Sequence, residues 1–213
     1  MAYDLEEQEQ LAQLKAWWKD YSGLLLAVAI AAVLVFAGWR GWQWYQNSQT
    51  AQAGVQYETL LKAAQAGDVK ALKDASGALL ENYPRTLYAS MGAFAAARVF
   101  FDTGDLKNTK AQLEWVVAKS SSQEFRDTAS LRLAAVLLDE KAYAEALQAL
   151  EGKHGEGFES QYAALRGDIL LASGKRAEAG SAYRAALDSA KKNNTSQNAF
   201  HESVRMRLEA VGG

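Results

Sequence analysis

The 213-residue chain is 49% hydrophobic and 23% charged with a formal net charge of −2, a balance that suits a folded chain and excludes a disordered one. No stripe of Lys and Arg runs along it, which excludes nucleic acid as a partner, and the absence of Cys excludes disulfides, thiol chemistry, thiolate metal sites and lipoprotein acylation. One Pro (Pro84), frequent Ala and no alternating runs of β-branched residues predict an all-α fold.

The first 22 residues carry five acids and two bases, Lys15 and Lys19. From Tyr21 to Trp39 there follow 19 residues without a charge. At about 1.5 Å per residue such a helix is about 28 Å long, the thickness of a bilayer's hydrocarbon core. Nine of these residues are Leu, Ile, Val or Phe, which favour insertion by about 3 to 5 kcal/mol. Aromatic residues flank the run: Trp17, Trp18 and Tyr21 before it, and Trp39, Trp42, Trp44 and Tyr45 after it. An indole has an apolar body and one polar N–H, so it settles at the headgroup boundary. A secretory leader has a short basic start and a small-residue cleavage site. Neither occurs here, and the segment is expected to stay as an anchor. Two flanking bases precede it and Arg40 alone follows closely, which tilts the N-terminus toward the cytoplasm. Gly23, Ala27 and Ala31 give it a small-residue face, consistent with helix packing or with ordinary lipid-facing composition. The expected organisation is a cytoplasmic segment over 1–22, a transmembrane helix with aromatic flanks over 23–45, and a repeat domain over 46–213.

Beyond the anchor, four turns separate Ala- and Leu-rich stretches: Ala66-Gly67-Asp68, Thr103-Gly104-Asp105, Glu140-Lys141-Ala142 and Ser173-Gly174-Lys175. Their centres are 37, 37 and 33 residues apart. That is close to the helix–turn–helix period of tetratricopeptide repeats, about 34 residues. Expected packing positions are Ala97, Phe100, Leu113 and Val116 in the second unit, and Leu133, Ala134, Leu137, Ala146 and Leu150 in the third. In the fourth, Gly167 marks a close helix approach beside Ala179, Tyr183 and Ala186, and Pro84 closes the first unit. The polar stretch 189–198 reads as a loop. Phe200, Val204, Leu208 and Val211 then form one face of a terminal helix that caps the α-solenoid.

No phosphate loop, nucleophile elbow or zinc-protease motif occurs, so the sequence predicts no enzyme, cofactor or metal site. Gly152, Gly155 and Gly157 lack the spacing of a dinucleotide site. His154 and His201 read as solvated surface residues, and Asp139 and Glu140 as a helix end facing solvent. Repeats of this kind present a groove lined by the first helix of each pair. The inward positions are Tyr57, Met91, Phe94, Arg98, Phe101, Leu131, Leu138, Asp168 and Leu171, mainly apolar and suited to a hydrophobic segment or helix of a partner. A one-residue shift of register would make several of them core instead.

Three stretches resemble the YfgM-like ancillary subunits of the bacterial SecYEG translocon. They are the acidic leader with Lys15-Ala16-Trp17-Trp18 and the anchor exit Gly38-Trp39-Arg40-Gly41-Trp42; then Gly155-Glu156-Gly157-Phe158; then Leu165-Arg166-Gly167-Asp168 through Ser173-Gly174-Lys175 to Ser181-Ala182-Tyr183. The likeness covers nearly the whole chain and is loosest in the first two repeats and the last twenty or so residues. It implies a single-pass inner-membrane protein with its N-terminus in the cytoplasm and its repeats in the periplasm. Its implied partners are the SecYEG translocon, a membrane-anchored prolyl-isomerase-type chaperone (PpiD-like), exported polypeptides and membrane lipid. The implied role is to help newly exported proteins reach periplasmic chaperones. Read from the residues alone, a repeat scaffold for another envelope machine, such as cytochrome maturation or cell-wall synthesis, fits as well.

Overall fold

The computed structural model describes residues 2–192 and 199–212, with side chains from Leu11 onward. It contains helices and one short 3-10 turn, and no strand among the described residues, as the composition predicts. The chain divides into two compact units, residues 1–49 and 50–213.

Helix α1 spans Ala2–Ala66 and includes a segment of mean hydropathy 2.3, long and apolar enough to cross a membrane. None of that apolar segment is buried within the protein. From Leu24 to Phe36 its large side chains stand exposed, which in water would be costly and in lipid is favourable.

In the second unit the last turns of α1 pair with α2 (Val69–Asn82), α3 (Leu87–Asp102) with α4 (Leu106–Lys119), α5 (Gln123–Asp139) with α6 (Tyr143–Gln148), and α7 (Glu159–Ala172) with α8 (Arg176–Lys192); α9 (Ala199–Ala210) follows. Each pair is joined by the same turn. In the first, the Asp68 N–H donates to the Ala63 carbonyl (3.0 Å) and the Gly67 N–H to the Ala64 carbonyl (3.2 Å). Asp105 and Gly104 repeat this on Phe100 and Phe101, Ala142 and Lys141 on Leu137 and Leu138, and Lys175 and Gly174 on Leu170 and Leu171. This double bond pattern satisfies the last carbonyls of the first helix and needs a left-handed residue at its centre. Gly67, Gly104 and Gly174 supply it at φ of 68°, 78° and 83°; the third turn places Lys141 there, at φ 61°. Asp68 and Asp105 then cap the following helices, each accepting the N–H three residues on. Asn108 also donates to Asp105 through both its side-chain amide and its backbone N–H, and these bonds hold the carboxyl below its ordinary range.

The core consists of four small clusters rather than one. The first joins Ala53 and Leu60 of α1 to Leu72, Leu79, Ala89 and Phe100. The second gathers Ala97, Leu113, Val116 and Leu133. A third sits around Ala134, Ala146, Leu150, Tyr162 and Ile169, and the last around Ala164, Ala179, Tyr183, Ala186 and Val204. The packing positions read from the repeat pattern lie in these clusters. At Gly167 an added Cβ would stand 2.5 Å from the Tyr183 ring, so the residue is a glycine because the two helices touch there.

Helix α6 has only six residues. The chain after it is fastened instead by Asp127, a buried residue of α5. Its Oδ2 accepts the Gly155 N–H (2.9 Å), its Oδ1 accepts Gln123 Nε2 (2.6 Å), and its backbone carbonyl accepts the Tyr162 hydroxyl (3.2 Å). Two expectations change here. His154 is not solvated: its side chain is 18% exposed, its ring lies 4.1 Å from that of Tyr162, and Nε2 is 3.5 Å from Glu159. His201 is half-buried on α9. The expected loop over 189–198 also begins later, because α8 continues to Lys192 with Ala190 fully buried. The polar residues around that alanine masked its packing role. Residues 193–198 lie outside the described residues.

The end of the array is held by four side chains. Asp168 accepts the Tyr183 hydroxyl on Oδ1 (2.8 Å) and Arg207 Nη1 on Oδ2 (2.7 Å). Arg176 donates to the Ala210 and Val211 carbonyls at the C-terminal end of α9 (2.5 and 3.1 Å), where a cation complements the helix dipole.

Candidate protein-binding face

Five residues of α3 share one stripe: Leu87, Met91, Phe94, Arg98 and Phe101, at steps of four, three, four and three. That spacing is the seam of a helix that packs along a partner helix. Leu87 is 55% exposed, Met91 38% and Phe101 40%, so the seam has no complete cover within the protein. Phe94 is half-buried: it meets Phe125 of α5 edge-on at 5.8 Å, and the Arg132 guanidinium lies 4.8 Å above its ring. Below this contact α3, α4 and α5 enclose an open cavity of about 420 Å³. Ala97, Leu113 and Val136 form its apolar floor, and Arg98, Phe101, Arg132 and Asp139 stand around it. Arg98 is already neutralised by its own helix, with Nε 2.8 Å from Asp102 Oδ2.

The sequence matches the tetratricopeptide repeat-like domain family over residues 15–213. The ancillary SecYEG translocon subunit of Haemophilus influenzae is 32% identical over 189 residues, covering 89% of this chain and 92% of the relative. That of Escherichia coli is 28% identical over 183 residues (86% and 88%), and that of Neisseria gonorrhoeae 28% over 212 (99% and 100%). The chain belongs to the ancillary SecYEG translocon subunit family.

The stretches that carry the family likeness occupy demanding places in this translocon-subunit fold. Gly155 to Phe158 is the segment fastened to Asp127. Gly167, Asp168 and Tyr183 make the tightest helix contact and the latch onto α9. Of the nine groove positions read from the sequence, Arg98 and Phe101 line the cavity, with Met91 and Phe94 further along the same stripe. Tyr57 meets Tyr88 with the rings tilted and their centroids 5.6 Å apart. Leu131 and Leu138 pack, partly buried, against the Ala134 and Leu150 cluster. Asp168 is engaged by Tyr183 and Arg207, and Leu171 is 38% exposed on α7.

Sequence reasoning passed over Leu87 and Arg132, and read Asp139 as a solvent-facing helix end without placing it at a cavity. Leu87 opens the stripe, and the other two sit seven residues apart on α5, the same two-turn spacing that runs along α3. That periodicity was the available signal. Glu140, at the end of α5, pairs with Lys110 at 2.6 Å. In the first unit the expected membrane-interface residues Trp17, Trp18, Tyr21, Trp39, Trp42, Trp44 and Tyr45 are all exposed, with Trp17 and Tyr21 rings 5.6 Å apart.

Proposed function

We propose that this chain is a single-pass inner-membrane subunit ancillary to the SecYEG translocon, acting by non-covalent recognition and not by catalysis. Its N-terminus lies in the cytoplasm and its repeats in the periplasm. There the face of α3 and α5 holds segments of newly translocated polypeptides and presents them to a membrane-anchored, prolyl-isomerase-type chaperone. The reading rests on one observation: a helix able to cross a membrane and a repeat domain with an open, largely apolar cavity belong to one chain. Support comes from relatives that are named ancillary SecYEG translocon subunits. Tethering gives the function its physical sense, because it raises the effective concentration of a weak binding surface beside the place where chains emerge. The aromatic belts at Trp17, Trp18, Tyr21 and at Trp39, Trp42, Trp44, Tyr45 set the depth of the span in the lipid.

A photocrosslinking amino acid at Phe101 or Met91, in cells exporting protein, is expected to trap translocating chains, a translocon subunit or the chaperone. A folded, membrane-inserted variant that traps none of these refutes the reading. Topology is tested separately. The chain has no Cys, so Lys192→Cys labelled by a membrane-impermeant thiol reagent reports its side without background. Labelling that requires lysis of the inner membrane would place the repeats in the cytoplasm and overturn the assignment.

A further inference from the structure

The α3–α5 cavity carries more information than its apolar floor. Two charges stand at it without a counter-ion: among the described residues neither Arg132 nor Asp139 forms an ion pair. Arg98, the remaining charge at the rim, is taken by Asp102. Arg132 and Asp139 are both exposed, seven residues apart on α5, so about 10.5 Å separates them along the helix axis. Between them the cavity opens over Val136, with Phe101 on the opposite wall. The site is thus an apolar hole with a positive charge at one end and a negative charge at the other. Arg132 keeps its contact with the Phe94 ring but has no counter-ion, and rim charges of this kind select partners by sign and order more than they add affinity.

We propose that this cavity takes a helical segment of a partner polypeptide that carries an acid, a large apolar side chain and a base in that order. The acid and base are seven residues apart and the apolar residue lies between them, three or four residues from each. The acid faces Arg132, the apolar side chain enters the hole against Phe101 and Leu113, and the base faces Asp139. The occupant therefore runs in the same direction as α5. A helical occupant is favoured because the α3 stripe repeats at 3.5 residues, the period of helix-on-helix packing. Acid first and base last also complements the occupant's own helix dipole. The inference rests on the proposed function for its class of partner and adds the chemical order by which a segment is chosen.

The test uses the full chain in nanodiscs of zwitterionic lipid, with empty nanodiscs as the control. The probes are fluorescent helical peptides of Glu–Leu–Lys order, Lys–Leu–Glu order and Gln–Leu–Gln composition at those positions, read by anisotropy. The acid-first peptide is expected to bind about tenfold more tightly than the base-first one, with the neutral peptide between, since each rim pair contributes up to about fivefold. The double variant Arg132→Glu, Asp139→Lys should reverse the order. Both residues face solvent, so circular dichroism should confirm that this variant folds. Phe101→Ala should weaken all three peptides together. Equal affinities for the two orders, no reversal in the double variant, or no measurable binding of any peptide overturns the inference. Trapping of exported chains from Phe101 in cells, together with indifference to charge order, would remove this inference while leaving the proposed function standing.

Discussion

Replacing Gly167 by Ala sets a methyl group 2.5, 2.6 and 2.9 Å from Cε1, Cδ1 and Cζ of Tyr183. Ordinary contact would need the ring to retreat by most of an ångström. It has nowhere to go, because the side chain is fully buried and its hydroxyl is held by Asp168 at 2.8 Å. Overpacking of this kind costs about 1 to 3 kcal/mol, and a pinned ring argues for the upper end. Ala gains about 1 kcal/mol over Gly in helix propensity. The net loss is therefore about 2 kcal/mol, or roughly 4 to 8 °C in Tm for a domain of this size. Gly92→Ala is the matched control. Its methyl meets the Cδ2 end of Leu79 and, at 3.3 Å, Cδ1 of Leu60. Both leucines are buried, but these are flexible side-chain ends that no hydrogen bond pins, so the packing cost stays near the lower end, about 1 kcal/mol, and the propensity gain offsets most of it. Urea and thermal unfolding of the full chain, followed by far-ultraviolet circular dichroism, should separate the two variants clearly. In a Tyr183→Leu background the Gly167→Ala penalty should shrink, as coupling between touching residues requires. Equal stability of Gly167→Ala and Gly92→Ala, or an undiminished penalty beside Leu, refutes the packing explanation.

Lys141→Gly should stabilise the repeat domain by about 0.5 to 1 kcal/mol, read as a higher urea midpoint, because it relieves a left-handed side-chain residue in the third turn. A lower midpoint would mean that the lysine side chain matters more than its backbone. Arg207→Ala removes one of the bonds that hold α9, at a half-exposed pair, and should cost at most about 1 kcal/mol. Hydrogen exchange in α9 should accelerate by up to about fivefold while that of α3 stays unchanged; uniform acceleration refutes a local latch. Burial first, and then the bond to Asp168, push the Tyr183 hydroxyl far above its ordinary range, and burial raises Tyr162 as well. Both stay protonated in the folded chain after the unfolded chain begins to ionise. Their contribution is thus complete below about pH 10 and lost as the pH climbs from there toward the folded values. Tyr183→Phe and Tyr162→Phe should flatten the fall in stability above about pH 10, and an unchanged slope would count against burial as its cause.

The architecture was legible where a single residue type answers a single physical demand. The left-handed turns require glycine, and three of four supply it, so their spacing could be read directly. Gly167 and Tyr183 announced a close contact through the pairing of the smallest residue with a large one. The third unit was harder: Lys141 stands where glycine is expected, α6 has only six residues, and Asp127 holds the segment that follows it. No local pattern signals that a carboxylate on α5 will bind an N–H 28 residues further on. His154 was misread for the same reason, since its burial depends on Tyr162 and not on its neighbours in sequence. The groove positions depend on helical register. Phe101 and Leu138 look alike in sequence, yet one faces solvent at the cavity and the other packs into a cluster shared by α5, α6 and α7.

The four separate clusters of the repeat unit give it the character of a short one-dimensional chain of coupled elements. In such a chain, stability is the sum of what each unit contributes and what each boundary contributes, and opening can start at an end and stop at any boundary. An occupant bridging α3 and α5 lies across the boundary between the second and third units. It would therefore strengthen a coupling constant and not merely fill a hole. Saturating the cavity should make unfolding more cooperative as well as shifting its midpoint, so that a sharper transition becomes a signature of occupancy.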